Sequence, residues 1–360
     1  MATTADILAT AQQLRAGFAD FGAAVVEADI LQPAAILLDL YGEDIRSRAY
    51  VTNDPLQGEM MLRPDFTVPV VQMHMASHAD PARYTYAGKV FRKQSFETAL
   101  PSEYVQVGFE VFDGSNSAVA DAEVFAAIAT ALGDAPVQAA TGDIGLLIAA
   151  VTGLKTTDAR KNALLRHLWR PNRFRALLDR FGGKVPPPAT RTALLAADNP
   201  MQDAGVEIGL RSRADVQNRI EVLRADAAAA PISSEEIAII DAILSLSDMA
   251  PVVLGALRDI AVDLPAIQPA LTQMDARLAA LTARGINVDQ LVFEGSYGRT
   301  SLEYYDGFVF GFSAVDRPDL PPVATGGRYD ALTHKLGEGR AVPAVGGVIR
   351  PDLLLEVQSC

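Results

Sequence analysis

Residues 84–113, YTYAGKVFRKQSFETALPSEYVQVGFEVFD, decide the fold. They read as two β-strands joined by a polar loop. From Glu103 to Asp113 apolar residues alternate with others. This puts Val105, Val107, Phe109 and Val111 on one face and Tyr104, Gln106, Gly108, Glu110 and Phe112 on the other. The first face is core. On the second, a glycine in mid-strand gives up packing and conformational order, and such a residue often marks a place where something else approaches the backbone. Gln106 and Glu110 flank it, and since two strand residues advance about 7 Å, the bare patch spans about 14 Å. That is room for a small polar ligand with a positive group for Glu110. Arg92, on the preceding strand, is placed to meet the ligand's carboxylate. A solvated sheet face with an incidental glycine fits the same pattern, and the alternation alone does not separate the two.

Bulk properties narrow the field. A chain of 360 residues, 49 % hydrophobic, can bury one large core or two ordinary ones. Its 31 basic and 44 acidic residues give a formal charge of −13, which disfavours general binding to nucleic acid or an anionic membrane. The single cysteine, Cys360, supports neither a disulfide framework nor a thiolate metal cluster, and with four scattered histidines no metal site and no cofactor is expected. Ala5, Asp6, Arg15 and Asp20 interrupt any N-terminal apolar run, and no segment reaches the ~20 residues of a membrane span. The expected compartment is the cytoplasm.

In chain order, residues 4–22 read as a helix capped by Thr4, with Ile7, Leu8, Ala11, Leu14 and Phe18 as its apolar stripe and Gly22 beyond its end. A second helix follows Pro33 and ends near Gly42. After a turn at Asn53-Asp54-Pro55 and a strand at Met60-Met61-Leu62, the segment LRPDFT opens a helix that Asp65 or Thr67 can cap. A helix N-terminus of this kind can hold a ligand's polar groups, although most such residues are simply caps.

Ala118 to Leu132 is a helix. From Gly142 to about Gly285 the pattern is mostly helical, with VPPPAT (185–190) as a linker or corner. The basic run Arg160, Lys161, Arg166, Arg170, Arg173, Arg175 and Arg180 reads first as a solvated helical face, with a docking surface for an acidic partner or nucleic acid as the alternative. The C-terminal part returns to strands, with a hairpin signal at Asp306-Gly307 and glycine doublets at 326–327 and 346–347 that read as tight turns before helices.

Several of these stretches together resemble histidyl-tRNA synthetase and its paralogues. Phe91-Arg92, followed by Tyr104 and Gln106-Val107-Gly108-Phe109-Glu110, is similar to the second signature motif of that family. Leu62-Arg63-Pro64-Asp65-Phe66-Thr67 resembles its Leu-Arg-Pro-Glu-x-Thr stretch. Glu303-Tyr304-Tyr305-Asp306-Gly307-Phe308-Val309-Phe310 resembles its histidine-specific segment, Gly326-Gly327-Arg328-Tyr329-Asp330 matches another of its motifs, and Gly347 with Arg350 resembles its third.

The resemblance implies an α+β fold: a class II synthetase-like antiparallel sheet flanked by helices, formed by residues 1–140 and 286–360, with 141–285 as a mostly helical insertion. It implies a histidine pocket of Asp65, Thr67, Arg92, Gln106, Glu110, Tyr304 and Tyr305, with Arg299 beside them, and a homodimer formed through residues 25–42, the region that corresponds to the family's first motif.

Three departures qualify the activity. Gln94 stands where a synthetase has Glu, and Leu100 and Ser102 stand where its loop has arginines that handle ATP. Thr300 takes the place of its catalytic arginine, with Arg299 adjacent. The sequence ends ten residues after Arg350, where a synthetase continues into an anticodon-binding domain. An amino-acid pocket kept while nucleotide groups are lost is the pattern of the family's regulatory branch. Those paralogues assemble with the short catalytic subunit of ATP phosphoribosyltransferase in the first step of histidine biosynthesis. The implied role is non-catalytic: activation of that partner and participation in feedback inhibition by L-histidine. The alternative is a truncated synthetase-like enzyme that adenylates an amino acid.

Overall fold

Residues 82–91 and 103–112 pair antiparallel, as expected of the hairpin, within a larger sheet. The computed structural model describes residues 2–41, 45–77, 79–94, 100–202, 204–300 and 304–359. Gly42, Glu303 and Cys360 lie outside the described residues. In chain order the strands are β1 (Ala24–Val25), β2 (Leu31–Pro33), β3 (Val51–Asp54), β4 (Gly58–Leu62), β5 (Ala82–Phe91), β6 (Glu103–Phe112), β7 (Val137–Asp143), β8 (Ser247–Met249), β9 (Val292–Glu294), β10 (Phe308–Ala314), β11 (Ala324–Arg328) and β12 (Ala344–Ile349). Among the described residues, nine of them form one sheet in the order β1-β5-β6-β12-β11-β10-β7-β9-β8. Its pairings are antiparallel except β1 on β5 and β7 on β9, so the sheet is mixed near its margins. Strands β2, β4 and β3 make a small antiparallel sheet of their own.

One face of the large sheet is closed by helices. Phe109 stacks on Phe18 of helix Thr4–Ala19 at 5.2 Å between ring centroids, and Ile128 of helix Ser117–Leu132 covers Gly347. The first helix is capped one residue earlier than expected. Thr3 accepts from the Asp6 backbone N–H at 3.2 Å while the Asp6 carboxylate accepts from the Thr3 N–H at 2.9 Å, because that reciprocal box satisfies two helix-end donors at once. Leu8 is 46 % exposed and falls off the buried stripe of Ala11, Leu14 and Phe18.

At Gly108 the second face of β6 is not open. Tyr86, paired with Gly108 across the β5–β6 ladder, lays its ring where a Cβ at Gly108 would stand. The bare patch expected for a ligand is therefore filled by the protein's own tyrosine. Phe112, at the far end of that face, is fully buried against His74 of helix Thr67–Ser77, their rings 3.9 Å apart.

The glycine doublets are not turns. Gly326 and Gly327 lie inside β11, Gly346 and Gly347 inside β12, and they pair with one another across the ladder. Side chains from neighbouring elements occupy the space their Cβ atoms would need: Phe310 over Gly326, Tyr305 over Gly327, Glu110 over Gly346. Asp306-Gly307 is likewise no hairpin turn. Strand β10 after it pairs with β7 and β11, while the Asp306 carboxylate accepts backbone N–H bonds from Asp330 at 3.0 Å and Ala331 at 2.5 Å.

Among the described residues every element between β7 and β8 is a helix, but the stretch expected as an insertion also gives the sheet the end of β7 and all of β8. Its helix Gln268–Ala283 packs on helix Ser117–Leu132, where the buried Arg277 donates to Asp121 at 3.1 Å and to Asp143 at 2.6 Å. Within the basic run, Arg160 is buried rather than solvated. It is tied to Asp226 at 2.6 Å and to the carbonyl of Ala230 at 2.7 Å, since an acidic residue from helix Arg213–Ala228 supplies its counter-charge. Arg175 pairs with Asp179 and Asp241. No described helix is long and apolar enough to cross a membrane.

Candidate functional site

A cavity of ≈ 790 Å³ opens on the second face of the sheet, and all eight residues expected at the site line it: Asp65, Thr67, Arg92, Gln106, Glu110, Arg299, Tyr304 and Tyr305. Three segments and one strand bring them together. Asp65 and Thr67 begin helix Thr67–Ser77, Arg92 follows β5, Gln106 and Glu110 alternate on β6, and the other three lie between β9 and β10.

Glu110 is the centre of a hydroxyl cage. It is fully buried, and Oε1 accepts from Tyr86 at 2.8 Å and from Thr67 Oγ1 at 3.1 Å, while Oε2 accepts from the Tyr329 hydroxyl. The glycine at 346, its partner across the β12–β6 ladder, leaves the space the carboxylate occupies. Burial pushes its carboxyl up to about 7, and the three hydroxyl donors hold it down against a larger rise. Burial also raises Asp65. The charge of Arg92 and the backbone N–H groups of Val68 and Thr67 oppose that rise. Two acidic groups on one wall, neither in an ion pair among the described residues, suit a ligand's ammonium.

Gln106 adds an acceptor. It is 4 % exposed and its Oε1 has no hydrogen-bond partner among the described residues, a costly state for a buried amide oxygen. Tyr304 and Tyr305 stand edge to face at 5.0 Å, and Tyr304 meets Tyr329 at 5.9 Å, giving the same wall aromatic faces.

The cationic groups are braced elsewhere on the rim. Arg92 Nε donates to the carbonyl of Pro64 at 2.8 Å, and its guanidinium lies 5.8 Å from the Tyr104 ring. Arg350 sits 4.1 Å from the same ring and pairs with Asp352 at 2.6 Å. The cavity is thus lined by carboxylates and by arginines, the complement of a zwitterion.

Tyr86 and Tyr329 were not assigned to the site from the sequence, yet they are two of the three donors to Glu110. For Tyr86 the signal was available: a tyrosine directly opposite a mid-strand glycine once the hairpin register is drawn. Tyr329 lay in a quoted motif without a role. Among the described residues no group of three or more His, Cys, Asp or Glu is placed to hold a metal ion.

The histidyl-tRNA synthetase family model matches residues 2–206 and 193–354. Proteins from Brucella ovis and from Brucella abortus (strain 2308), each named ATP phosphoribosyltransferase regulatory subunit, are 30 % identical over 355 residues, covering 92 % of this chain and 92 % of theirs. Among solved structures, an ATP phosphoribosyltransferase regulatory subunit/histidyl-tRNA synthetase from Bacillus halodurans matches with a TM-score of 0.68 at 21 % identity, covering 99 % of this chain and 81 % of that one. The histidyl-tRNA synthetase of Nostoc sp. PCC 7120 matches at 0.64 and 16 % identity, covering 97 % and 70 %. These two likenesses carry the class II synthetase-like fold.

Proposed function

The chain belongs to the histidyl-tRNA synthetase family and, within it, to the ATP phosphoribosyltransferase regulatory subunits, and from that premise we propose that its cavity is a sensor for L-histidine. The chain has no catalysis of its own. It activates the short catalytic subunit of ATP phosphoribosyltransferase, as a homodimer within a larger hetero-oligomer, and histidine in the cavity reverses that activation. For such coupling histidine must favour one state of the complex by about 1–3 kcal/mol.

The observation that carries this reading is the unpaired Oε1 of Gln106, buried on the same face as Glu110. A ligand bringing an N–H to that oxygen and an ammonium to Glu110 and Asp65 relieves both deficits, and histidine carries both groups. Tyr304 and Tyr305 then offer ring faces to an imidazole. Thr300 stands where the synthetases have a catalytic arginine, and the neighbouring Arg299 is turned to the carbonyl of Leu168, 2.9 Å away. This favours binding without transfer. Arg92 and Arg350, both on the cavity wall, favour the second reading, an enzyme that adenylates an amino acid.

Two assays separate them. The chain is mixed with the short catalytic subunit, and phosphoribosyl-ATP formation is followed with and without histidine. Activation reversed by histidine supports the sensor. Absence of activation with both proteins folded, together with histidine-dependent pyrophosphate exchange into ATP, replaces it with the adenylating enzyme.

A further inference from the structure

Four arginines gather around one aspartate in the helical part of the chain. Arg160 of helix Asp158–Arg166 and Arg191 of helix Ala189–Ala196 each take one oxygen of Asp226, both at 2.6 Å. Arg180, near the end of helix Pro171–Phe181, holds its guanidinium 4.7 Å from the ring of Phe181, which Arg160 approaches at 5.2 Å. Arg219, on the same helix as Asp226, completes the group. Among the described residues Asp226 is the one carboxylate paired with any of the four. The Arg180 guanidinium registers the imbalance. Burial lowers its pKa first, the charges of Arg191, Arg160 and Arg219 push the same way, and Asp226 alone opposes them.

Folding alone does not call for this surplus. Arg160 is satisfied within the fold, since it also donates to the carbonyls of Ala230 and Asp226, each at 2.7 Å. Arg191 is not. Its Nη2 is held by Asp226 and, at 3.4 Å, by the carbonyl of Leu223, while its buried Nε has no hydrogen-bond partner, a costly state for a donor. Arg180 and Arg219 are exposed and bring like charge to the same place with no ion pair among the described residues to offset it. Four guanidiniums against one carboxylate stand out in a chain of formal charge −13.

We propose that Arg180, Arg191 and Arg219 form a second binding site, which takes the phosphate group of a small molecule. Guanidinium forks match phosphate oxygens in geometry and keep their charge at any working pH, so arginine suits the task better than lysine. A phosphate carrying about two negative charges at pH 7 offsets most of the surplus. Arg160 and Asp226 form the fixed floor, and an oxygen at Arg191 Nε satisfies the donor that the fold leaves alone. None of these residues lines the sheet cavity, so the assignment is independent of the histidine reading.

Calorimetry on the full chain tests this with inorganic phosphate, pyrophosphate and glycerol 3-phosphate at constant ionic strength. They are titrated into the wild type, Arg180→Gln and Arg219→Gln. Neither substitution removes an ion pair among the described residues, and if circular dichroism shows one variant unfolded the other decides. The wild type is expected to bind pyrophosphate more tightly than phosphate, and each variant to lose about tenfold or more of that affinity. Glycerol 3-phosphate bound as well as phosphate supports the site and assigns it to an organic ester, whereas binding of the inorganic ions alone supports it and assigns it to the free anion. Arg92→Gln controls for anions held in the sheet cavity. Pyrophosphate affinity lost in that variant and kept in the other two overturns the inference, as does a wild type that binds none of the probes. A single-stranded oligonucleotide that binds through these arginines without competition from pyrophosphate also overturns it, in favour of a nucleic-acid contact.

Discussion

The ring of Tyr86 lies over Gly108 on the adjacent strand, and its hydroxyl donates to Glu110 Oε1 at 2.8 Å. The glycine is thus required by the tyrosine, and the tyrosine by the carboxylate. A Cβ at 108 would overlap the ring, which is also stacked on Phe66 at 4.3 Å and has little freedom to retreat. Gly108→Ala should therefore destabilise the chain by about 1–3 kcal/mol in urea unfolding. Combining it with Tyr86→Ala should cost less than the sum of the two single changes, because the clash is gone. Strict additivity would contradict the packing described.

Glu110 gives stability a pH dependence of definite sign. Its folded carboxyl is raised to about 7 from an ordinary value of 4.5, so between these limits the folded chain holds a proton that the unfolded chain has released. The contribution is fully present below about 4.5 and is lost as pH rises through about 7, with a ceiling of about 3 kcal/mol. Asp306, raised to about 7 by burial, adds a slope of the same sign. Glu110→Gln, which keeps the shape, should remove its own share. Unfolding free energy measured at pH 5 and pH 8 should then differ less in the variant than in the wild type.

What was legible in the sequence follows from the range of the interaction. The β5–β6 hairpin announced itself because alternation is local, and helices Thr4–Ala19 and Ser117–Leu132 did so through caps and apolar spacing. Gln106, Glu110 and Arg92 stood out from the strand pattern and Asp65 and Thr67 as helix caps, whereas Arg299, Tyr304 and Tyr305 were named through family motifs alone. What escaped depends on pairing between distant segments. Gly346 looks like a turn residue until β12 is laid beside β6 and Glu110 is found over it. Arg160 looks solvated until Asp226, sixty-six residues on, is brought against it. A glycine or an arginine carries the same local signal in both settings, so only tertiary structure decides between them.

The Arg277 cluster should be a stability determinant apart from the cavity. This arginine joins helix Gln268–Ala283 to Asp121 on helix Ser117–Leu132 and to Asp143 at the end of β7, all three buried. Arg277→Met leaves Asp121 with Arg328 but strips Asp143 of its counter-charge. The expected loss is about 3–5 kcal/mol, read from thermal or urea unfolding. Adding Asp143→Asn should recover part of it, since the uncompensated charge is removed. No recovery would place the cost in packing against Phe308, 4.4 Å from the guanidinium, instead of in the ion pair.

Gln106 should show the opposite balance between stability and function. Its buried Oε1 is unpaired, so replacing the amide with an apolar side chain of similar size removes a desolvation cost without breaking a bond to that oxygen. Gln106→Leu is therefore expected to leave stability unchanged or raise it by about 1 kcal/mol. The same oxygen is the acceptor offered to the ligand, and its loss should weaken histidine binding by about tenfold or more. Calorimetry and urea unfolding on one protein preparation read both quantities. A variant that binds histidine as the wild type does would remove Gln106 from the site. A variant that loses stability would show that the amide is satisfied within the fold and is not held in reserve for a ligand. Stability kept with affinity lost is the outcome expected of a group whose partner arrives from outside the chain.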